Sequence, residues 1–291
     1  MQTQILRQIR QAVEQLNPNE VRMVAERALV IRLAAKSVDD YETMESFLCA
    51  GPASPKKRVE QSSYIFRAED GQLPEKGDLD IVMEGVDAPE GAFIFHPDHP
   101  AQLVSEVLAA KQDLGLPLAR CFARFRKPVT DRIISNVSKE NAMFCVLTAA
   151  PNLAPGLSLP WAVPEAVSDA TVLTINQIRM AFMLAAASDR PVGYREQKAE
   201  VGALIAGALG WRALAREMVG KIPFGGGLIP KAGIAFAGTY VAGLSLERLY
   251  RVGYGLTRAE RRLAYGEALD RGREVATTLL DGWRARKARK A

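Results

Sequence analysis

The chain has two histidines, and both lie in one short segment together with an aspartate. His96, Asp98 and His99 occur in the sequence FHPDHP. Imidazole nitrogens and carboxylate oxygens bind Zn²⁺ in proteins, and Asp78 and Asp80 in the nearby GDLD could complete such a site. However, two prolines flank the group, and no helix gives the histidines a four-residue spacing on one face. We therefore predict a turn at the end of a strand with solvated histidines, and we keep a metal site only as the weaker alternative.

The glycine-rich segment KIPFGGGLIPK, residues 221–231, suggests a phosphate-binding loop. In the pattern GxxxxGK[ST], backbone N–H groups surround the phosphates, the lysine reaches the outer phosphates and the hydroxyl binds Mg²⁺. Here the spacing from Gly226 to Lys231 is different, Pro230 removes a donor, and Ala232 stands where serine or threonine is required. The glycines predict instead a turn with positive φ, and Pro230 predicts the start of a helix.

Patterns that support catalysis are weak in this sequence. It has no GxSxG nucleophile motif, and none of its cysteines has a histidine nearby in the sequence that would activate it. Paired carboxylates such as Asp39 and Asp40 occur in ordinary surface contexts. We therefore predict a non-enzymatic protein without a cofactor.

Composition places the chain among globular proteins of the cytosol. Its 291 residues are 48% hydrophobic and 24% charged, which is enough to bury a substantial core. Cys49, Cys121 and Cys145 are odd in number and far apart, as expected in a reducing compartment. The N-terminal residues alternate charged and apolar types, without the continuous apolar stretch of a secretory signal.

The first part of the chain is predicted to combine helices with a small sheet. Apolar positions at helical spacing over residues 3–35, interrupted at NPNE, predict two amphipathic helices. Residues 51–63, GPASPKKRVEQSS, predict a linker or exposed loop. The short runs SYIFRA, LDIVME and AFIFHP predict three strands, and a helix follows that ends at Gly115. The strand order stays open at this stage.

The second part is predicted to be helical throughout. Several segments beyond residue 116 have proline at the start and glycine just past the end, as helices do. Thr257 and Glu260 have the spacing of a capping box. The fold class is therefore α+β, mainly α: a small three-stranded α/β region followed by a helical domain with Gly/Ala-rich helical hairpins. The predicted parts are N-terminal helices at 1–50, a linker at 51–63, an α/β region at 64–115, a helical domain at 116–250, and a basic C-terminal helix and tail at 251–291.

Three segments have the low charge of membrane-associated sequences. Residues 141–164 contain no charged side chain and are long enough for a bilayer core of ~30 Å, but four prolines interrupt them. A re-entrant or interfacial hairpin, or a buried loop, fits this pattern better than a straight span. Residues 170–188 contain Arg179, and the uncharged residues 232–246 would reach only about 22 Å as a helix.

Small residues recur at the spacing of close helix contacts. Such pairs let two backbones approach closely, both in lipid and in a soluble core. We predict an antiparallel hairpin of helices 198–216 and 232–246, joined across the three glycines. Its contact residues would be Ala203, Gly207, Gly233, Ala237, Gly238, Ala242 and Gly243.

The C-terminal end is basic. Residues 251–291 contain 11 lysines and arginines against 5 acidic residues, in a chain whose net charge is +5. The tail follows Trp283 and suits an anionic lipid surface, while no recognition fold supports nucleic-acid binding. A solvated tail is the alternative. The basic tail residues are Arg284, Arg286, Lys287, Arg289 and Lys290.

Three sequence blocks carry a family resemblance: TINQIRMAFMLAAA with Asn176, Gln177 and Met180; GWRALARE with Gly210, Trp211 and Arg212; and IPFGGGLIPKAGIAFAGTYVAG with Ile222, Pro223, Gly226, Lys231, Gly238 and Thr239. Through them, residues of about 135–250 resemble the bacterial domain-of-unknown-function 697 family, a helical module found after some Era-like GTPase domains and in YcjF-like inner-membrane proteins. The resemblance implies a membrane-associated helical module of unestablished role and no catalytic residues. A G domain often precedes this module, and in its place the chain has the region at 64–115, without a P-loop or an NKxD motif. If this region is a degenerate G-domain remnant, it should not hydrolyse GTP.

Together these features predict an interaction or scaffold protein at the cytoplasmic side of the inner membrane. The apolar hairpins would anchor it, the basic tail would stay in the cytoplasm, and a GTPase or a second copy of the chain would be a possible protein partner. The alternative is a soluble cytoplasmic regulator that binds a partner GTPase, with the hairpins closed into an ordinary core. Charges such as Arg179, Arg212 and Glu217 favour this alternative, because they are costly in lipid.

Overall fold

A computed structural model describes residues 16–69, 73–149, 169–207 and 228–288, without the side chains of 149, 169, 228 and 283–288. The chain divides into two compact units. We call Asn19–Asp131 with Ala186–Pro191 the sheet unit. We call Met1–Pro18, Arg132–Ala185 and Val192–Ala291 the helical unit.

The sheet unit is built on four parallel strands. They are β1 (Ile31–Ala34), β2 (Ile65–Arg67), β3 (Leu79–Met83) and β4 (Phe93–Phe95), in the order β2-β1-β3-β4. In the central pair Ile31 lies opposite Leu79 and Leu33 opposite Ile81, and all four side chains are buried. Parallel strands of this kind need helices over the sheet, because their apolar side chains leave both faces unsuited to water.

Six helical segments accompany the sheet. Serine caps begin two of them: the side chains of Ser37 and Ser54 accept hydrogen bonds from the backbone N–H groups of Asp40 and Lys57. α2 packs on the strands through Phe47, whose ring lies 5.3 Å from that of Phe95. The helices are α1 (Pro18–Ala25), α2 (Val38–Leu48), α3 (Pro55–Ser62), α4 (Ala101–Ala110), a 3₁₀ turn (Gln112–Leu114) and α5 (Gly115–Cys121).

The predicted strands are confirmed as β2, β3 and β4, and the mainly α fold class is confirmed with them. Two local predictions were wrong. Residues 31–34 form a strand and not a helix. Leu29 and Leu33 fit helical spacing, but Ile31 between them is buried as well, and burial of every second residue is the alternation of a strand. Residues 55–62 form a helix within the predicted linker, because a serine cap and a proline in the first turn begin it.

The helical unit contains long helices around a central one. α6 (Ala123–Ala149) enters it from the sheet unit, followed by α7 (Asp169–Ala187), α8 (residues 198–207), α9 (Leu228–Val252) and α10 (Arg258–Ala288). Residues 232–239 of α9 are all buried. Eight consecutive buried residues exceed two helical turns, so every face of this part of α9 is covered by protein.

Several predicted features lie outside the described residues. These are the first N-terminal helix up to residue 15, the uncharged segment from residue 150 onward, and residues 208–227 of the predicted hairpin with its three glycines. Arg289 and Lys290 of the basic tail also lie outside them. Arg284, Arg286 and Lys287 belong to the last turns of α10, where only the backbone is described.

Two glycines allow α9 and α10 to approach closely. A Cβ atom at Gly272 of α10 would lie 2.9 Å from the carbonyl oxygen of Gly233 and 2.8 Å from Cβ of Phe236. Distances below 3.0 Å to backbone are not tolerated without movement, so any side chain at Gly272 would push the two helices apart. At Gly266, on the same helix, a Cβ atom would have no neighbour within 4 Å in the part of the chain that the structure describes.

We therefore expect opposite effects from two alanine substitutions in α10. Gly272→Ala should lower the free energy of unfolding by about 1–3 kcal/mol through overpacking. Gly266→Ala should raise it by up to ~1 kcal/mol, because alanine favours the helix and meets open space. Chemical unfolding followed by circular dichroism measures both. Equal stabilities of the two variants would show that the helices do not approach as described.

Candidate functional site

Four buried polar side chains join three helices at the centre of the helical unit. Asn141 of α6 donates from Nδ2 to Oγ1 of Thr239 on α9 at 2.8 Å, and its Oδ1 accepts from Nδ2 of Asn176 on α7 at 2.7 Å. Gln177 of α7 donates to the same Thr239 oxygen at 3.2 Å. None of the four is more than 8% exposed. Buried amides must be paired, so this network favours one mutual arrangement of α6, α7 and α9.

An ion pair closes the outer side of the same helices. Nη2 of Arg179, near the middle of α7, lies 2.5 Å from Oε2 of Glu140 on α6. Both side chains are about one-third exposed, at 33% and 31%. Within the described residues α7 is the one helix that is long and apolar enough to cross a membrane, and 72% of its apolar stretch is buried in the protein.

The predicted hairpin residues contact more than one neighbour. Gly233 faces Leu269 and Arg273 of α10, and Gly243 of α9 faces Ile134 of α6 and Met180 of α7. Ala237 and Gly238 are buried within the unit.

α8 and α9 border a cavity of about 470 Å³. Ala203, Gly207 and Ala242 line it, and a Cβ atom at Gly207 would meet no atom of the described residues within 4 Å. Most of the other lining side chains are apolar, among them Leu204, Val241, Leu246 and Leu249. In the described part of the hairpin, these three small residues therefore border open space.

The turn between α9 and α10 exposes apolar and aromatic side chains. Val252 is 43% exposed, Tyr254 57% and Leu263 69%. Arg258 and Arg262, both exposed, lie one helical turn apart at the start of α10. We call these five residues the turn surface. In the sequence, the apolar and aromatic run VGYGL within an arginine-rich stretch marks the turn surface. No site was predicted there from the sequence.

A capping box and an ion pair hold the turn surface in place. The N–H of Thr257 donates to Glu260 at 2.8 Å, and the N–H of Glu260 donates to Oγ1 of Thr257 at 3.3 Å, which confirms the predicted capping box. Arg248 of α9 bonds to Glu260 at 2.5 Å and lies over the ring of Tyr254. The hydrogen bond from Arg248, aided by those from Thr257, lowers the pKa of Glu260 to about 2.

The histidine segment forms a turn directly after β4. His96 Nδ1 lies 3.1 Å from Oε2 of Glu84, and the N–H of His99 donates to the carbonyl of His96. Asp98 and His99 are exposed. In the described ranges no three His, Cys, Asp or Glu side chains are grouped so that they could hold a metal ion.

The two aspartates considered with that segment face arginines. Asp78 bonds to Arg27, and Oδ2 of Asp80 accepts from Nη2 of Arg32 at 2.7 Å.

The carboxyl ends of β1 and β3 are where parallel α/β sheets often bind nucleotides, because the strand order reverses there. In this protein Lys36 bonds to the carbonyl oxygen of Gly85, and the Ser37 side chain caps α2. The β1–α2 connection contains no glycine, and Asp39 and Asp40 occupy the first helical turn, where they repel phosphate. The described β1–α2 connection therefore lacks the backbone cradle that a nucleotide requires.

No protein-family model, curated protein or solved structure matches this chain. The family resemblance of its sequence blocks stays a prediction.

The stability of the α9–α10 turn should depend on pH through Glu260. Because its pKa in the folded state lies near 2, below the ordinary 4.5, the carboxylate stabilises the fold above about pH 4.5. This contribution to the stability of the fold is lost as the pH falls from about 4.5 through 2.

In the Glu260→Gln variant the side-chain amide oxygen can still accept the hydrogen bond from the N–H of Thr257, but the side chain cannot ionise. We expect the stability of the wild type to fall more steeply than that of this variant between pH 6 and pH 3, in unfolding experiments at each pH. Parallel curves would contradict the assignment.

Proposed function

We propose that this chain is a non-enzymatic interaction or scaffold module that associates peripherally with the cytoplasmic face of the inner membrane. Its contact would be the turn surface, assisted by the basic C-terminal tail. The observation that carries the proposal is the exposure of Val252, Tyr254 and Leu263 within a segment, residues 252–263, that also contains the exposed Arg258 and Arg262.

Peripheral association fits the helical unit better than insertion of α7. Arg179 lies near the middle of α7 and is partly exposed with Glu140. On insertion scales an arginine at the centre of a membrane helix costs about 2.5–3.5 kcal/mol. The apolar side chains of α7 already have partners inside the protein, so burial in lipid would add little to compensate that cost.

The turn surface has the composition of a membrane-interface contact. Tyrosine places its apolar ring and its hydroxyl at the boundary between acyl chains and headgroups, and valine and leucine add apolar area. Each arginine near an anionic surface contributes about 1 kcal/mol, and this contribution is screened by salt. Arg258 and Arg262 make no ion pair with any side chain in the described ranges, so both charges are available to headgroups.

Vesicle co-sedimentation tests this proposal. The wild type should bind vesicles that contain phosphatidylglycerol and not pure phosphatidylcholine, and high salt should weaken the binding. Tyr254→Ser with Leu263→Ser should reduce the affinity about tenfold or more, because the apolar contact is lost. Arg258→Gln with Arg262→Gln should reduce the salt dependence.

The control removes two apolar side chains of similar exposure from the sheet unit. Met23 and Val59 are 73% and 71% exposed, and Met23→Ser with Val59→Ser should leave vesicle binding unchanged. If both double serine variants bind as the wild type does, the turn surface is not the contact.

A soluble regulator that binds a partner protein, such as a GTPase, is the second candidate. The cavity of about 470 Å³ between α8 and α9 favours it, because small residues leave room there for an apolar side chain of a partner. This candidate predicts a protein that is monodisperse without detergent and does not bind anionic vesicles even at low salt.

A further inference from the structure

The sheet unit contains a separate polar cavity of about 180 Å³. The loop at residues 50–54, just before α3, forms one wall, and Cys121, Arg126 and Asp189 lie on the others. Gly51 has a φ of +110°, which closes this loop against Ala123, and a side chain at residue 51 would be strained. The volume is below that of most drug-sized binding sites, so an occupant would be a small molecule or ion.

Two acidic and two basic side chains around the cavity neutralise one another. Nζ of Lys57 lies 2.8 Å from Asp189 and 3.1 Å from Glu60. Arg120 lies 2.7 Å from Glu60 and 3.6 Å from Asp189. The Lys57 side chain is 11% exposed, while its partners Glu60 and Asp189 are 26% and 34% exposed. Neither carboxylate is left with an uncompensated charge that would repel an anion.

Arg126 is the basic side chain at this cavity that takes no part in these ion pairs. Its Nε donates to the carbonyl oxygen of Ala187 at 3.0 Å, which orients the guanidinium group. Within the described residues no hydrogen bond or ion pair engages its two terminal amino groups. The five charged side chains therefore sum to one net positive charge, and the N-terminal end of α3 at Ser54 adds positive potential.

Gln61 supplies an acceptor at the same cavity. It is 3% exposed, and its Nε2 donates to the carbonyl oxygen of Cys121 at 2.7 Å, which fixes the orientation of the amide. Its Oε1 is buried and has no hydrogen-bond partner in the described part of the protein. A buried acceptor without a partner costs about 1–3 kcal/mol, so a donor supplied by an occupant would be stabilising.

We propose that this cavity binds a small oxyanion that also carries a hydroxyl group, with inorganic phosphate as the simplest example. Arg126 bonds the anionic oxygens through its terminal amino groups, and Gln61 accepts the hydroxyl proton. The proposal concerns the sheet unit alone and is independent of the membrane contact described above. It also separates phosphate from sulfate, since sulfate has the same shape but no hydroxyl group at neutral pH.

Calorimetric titration of the full chain with phosphate and with sulfate tests the proposal, with sodium chloride controlling for ionic strength. The wild type should bind phosphate about tenfold more tightly than sulfate, which is the effect of one well-placed hydrogen bond. Gln61→Met should remove this difference.

Arg126→Gln should weaken phosphate binding about tenfold or more, because the charge-assisted bonds are lost. Arg124→Gln is the matched control: it removes the same charge from the same helix, but Arg124 does not line the cavity, so binding should change less than about twofold. Thermal unfolding in phosphate-free buffer checks that each variant is folded.

The comparison of the two anions needs no variant, so a folding defect cannot obscure it. Equal affinities for phosphate and sulfate would overturn the role of Gln61. If neither anion binds beyond the effect of chloride, the cavity holds water alone and the proposal is wrong.

Discussion

The all-round burial of residues 232–239 in α9 is the constraint on which the helical unit depends. A helix with glycines at 233, 238 and 243 loses about 1 kcal/mol at each relative to alanine, so close neighbours must stabilise it. Gly272 of α10 provides one such contact, because it lets the two backbones meet at Gly233. On another side Ile134 and Met180 pack against Gly243. Thr239 then joins α9 to α6 and α7 by hydrogen bonds from Asn141 and Gln177, which favour one arrangement of the three helices.

This packing changes what the apolar sequence means. A helix rich in Gly, Ala, Ile and Val has the same composition in a bilayer and in a protein core, because both surroundings are apolar. In the described residues, the partners of α7 and α9 are other helices of the same chain. Under the proposed function, membrane contact therefore belongs to exposed side chains at the α9–α10 turn and to the tail, and not to these buried helices.

The sequence predicted features whose cause is local and missed those whose cause is distant. The three strands, the capping box at Thr257 and the helical second half follow from neighbouring residues, and they are found. β1 was missed because the leucines at 29 and 33 satisfy both helical and strand spacing, and only pairing with β2 and β3 decides between them.

The polar cavity was beyond sequence reasoning for a related reason. It brings Lys57 next to Asp189, 132 residues along the chain, and no local pattern marks either residue. The role of Gly272 could not be predicted from the sequence either. A glycine in a charged helix is expected only to destabilise that helix, unless a neighbouring backbone is known to lie against it. In both cases the signal is a tertiary contact, which a single sequence does not encode as a motif.

Hydrogen exchange measured by mass spectrometry tests the central claim most directly, namely that α9 is held by protein and not by lipid. The full chain would be labelled in buffer without detergent, with and without anionic vesicles. If protein contacts bury α9, peptides covering residues 232–239 exchange among the slowest in the chain, and vesicles do not change their rate. Fast exchange of these peptides in buffer, with protection only when vesicles are added, would contradict the account.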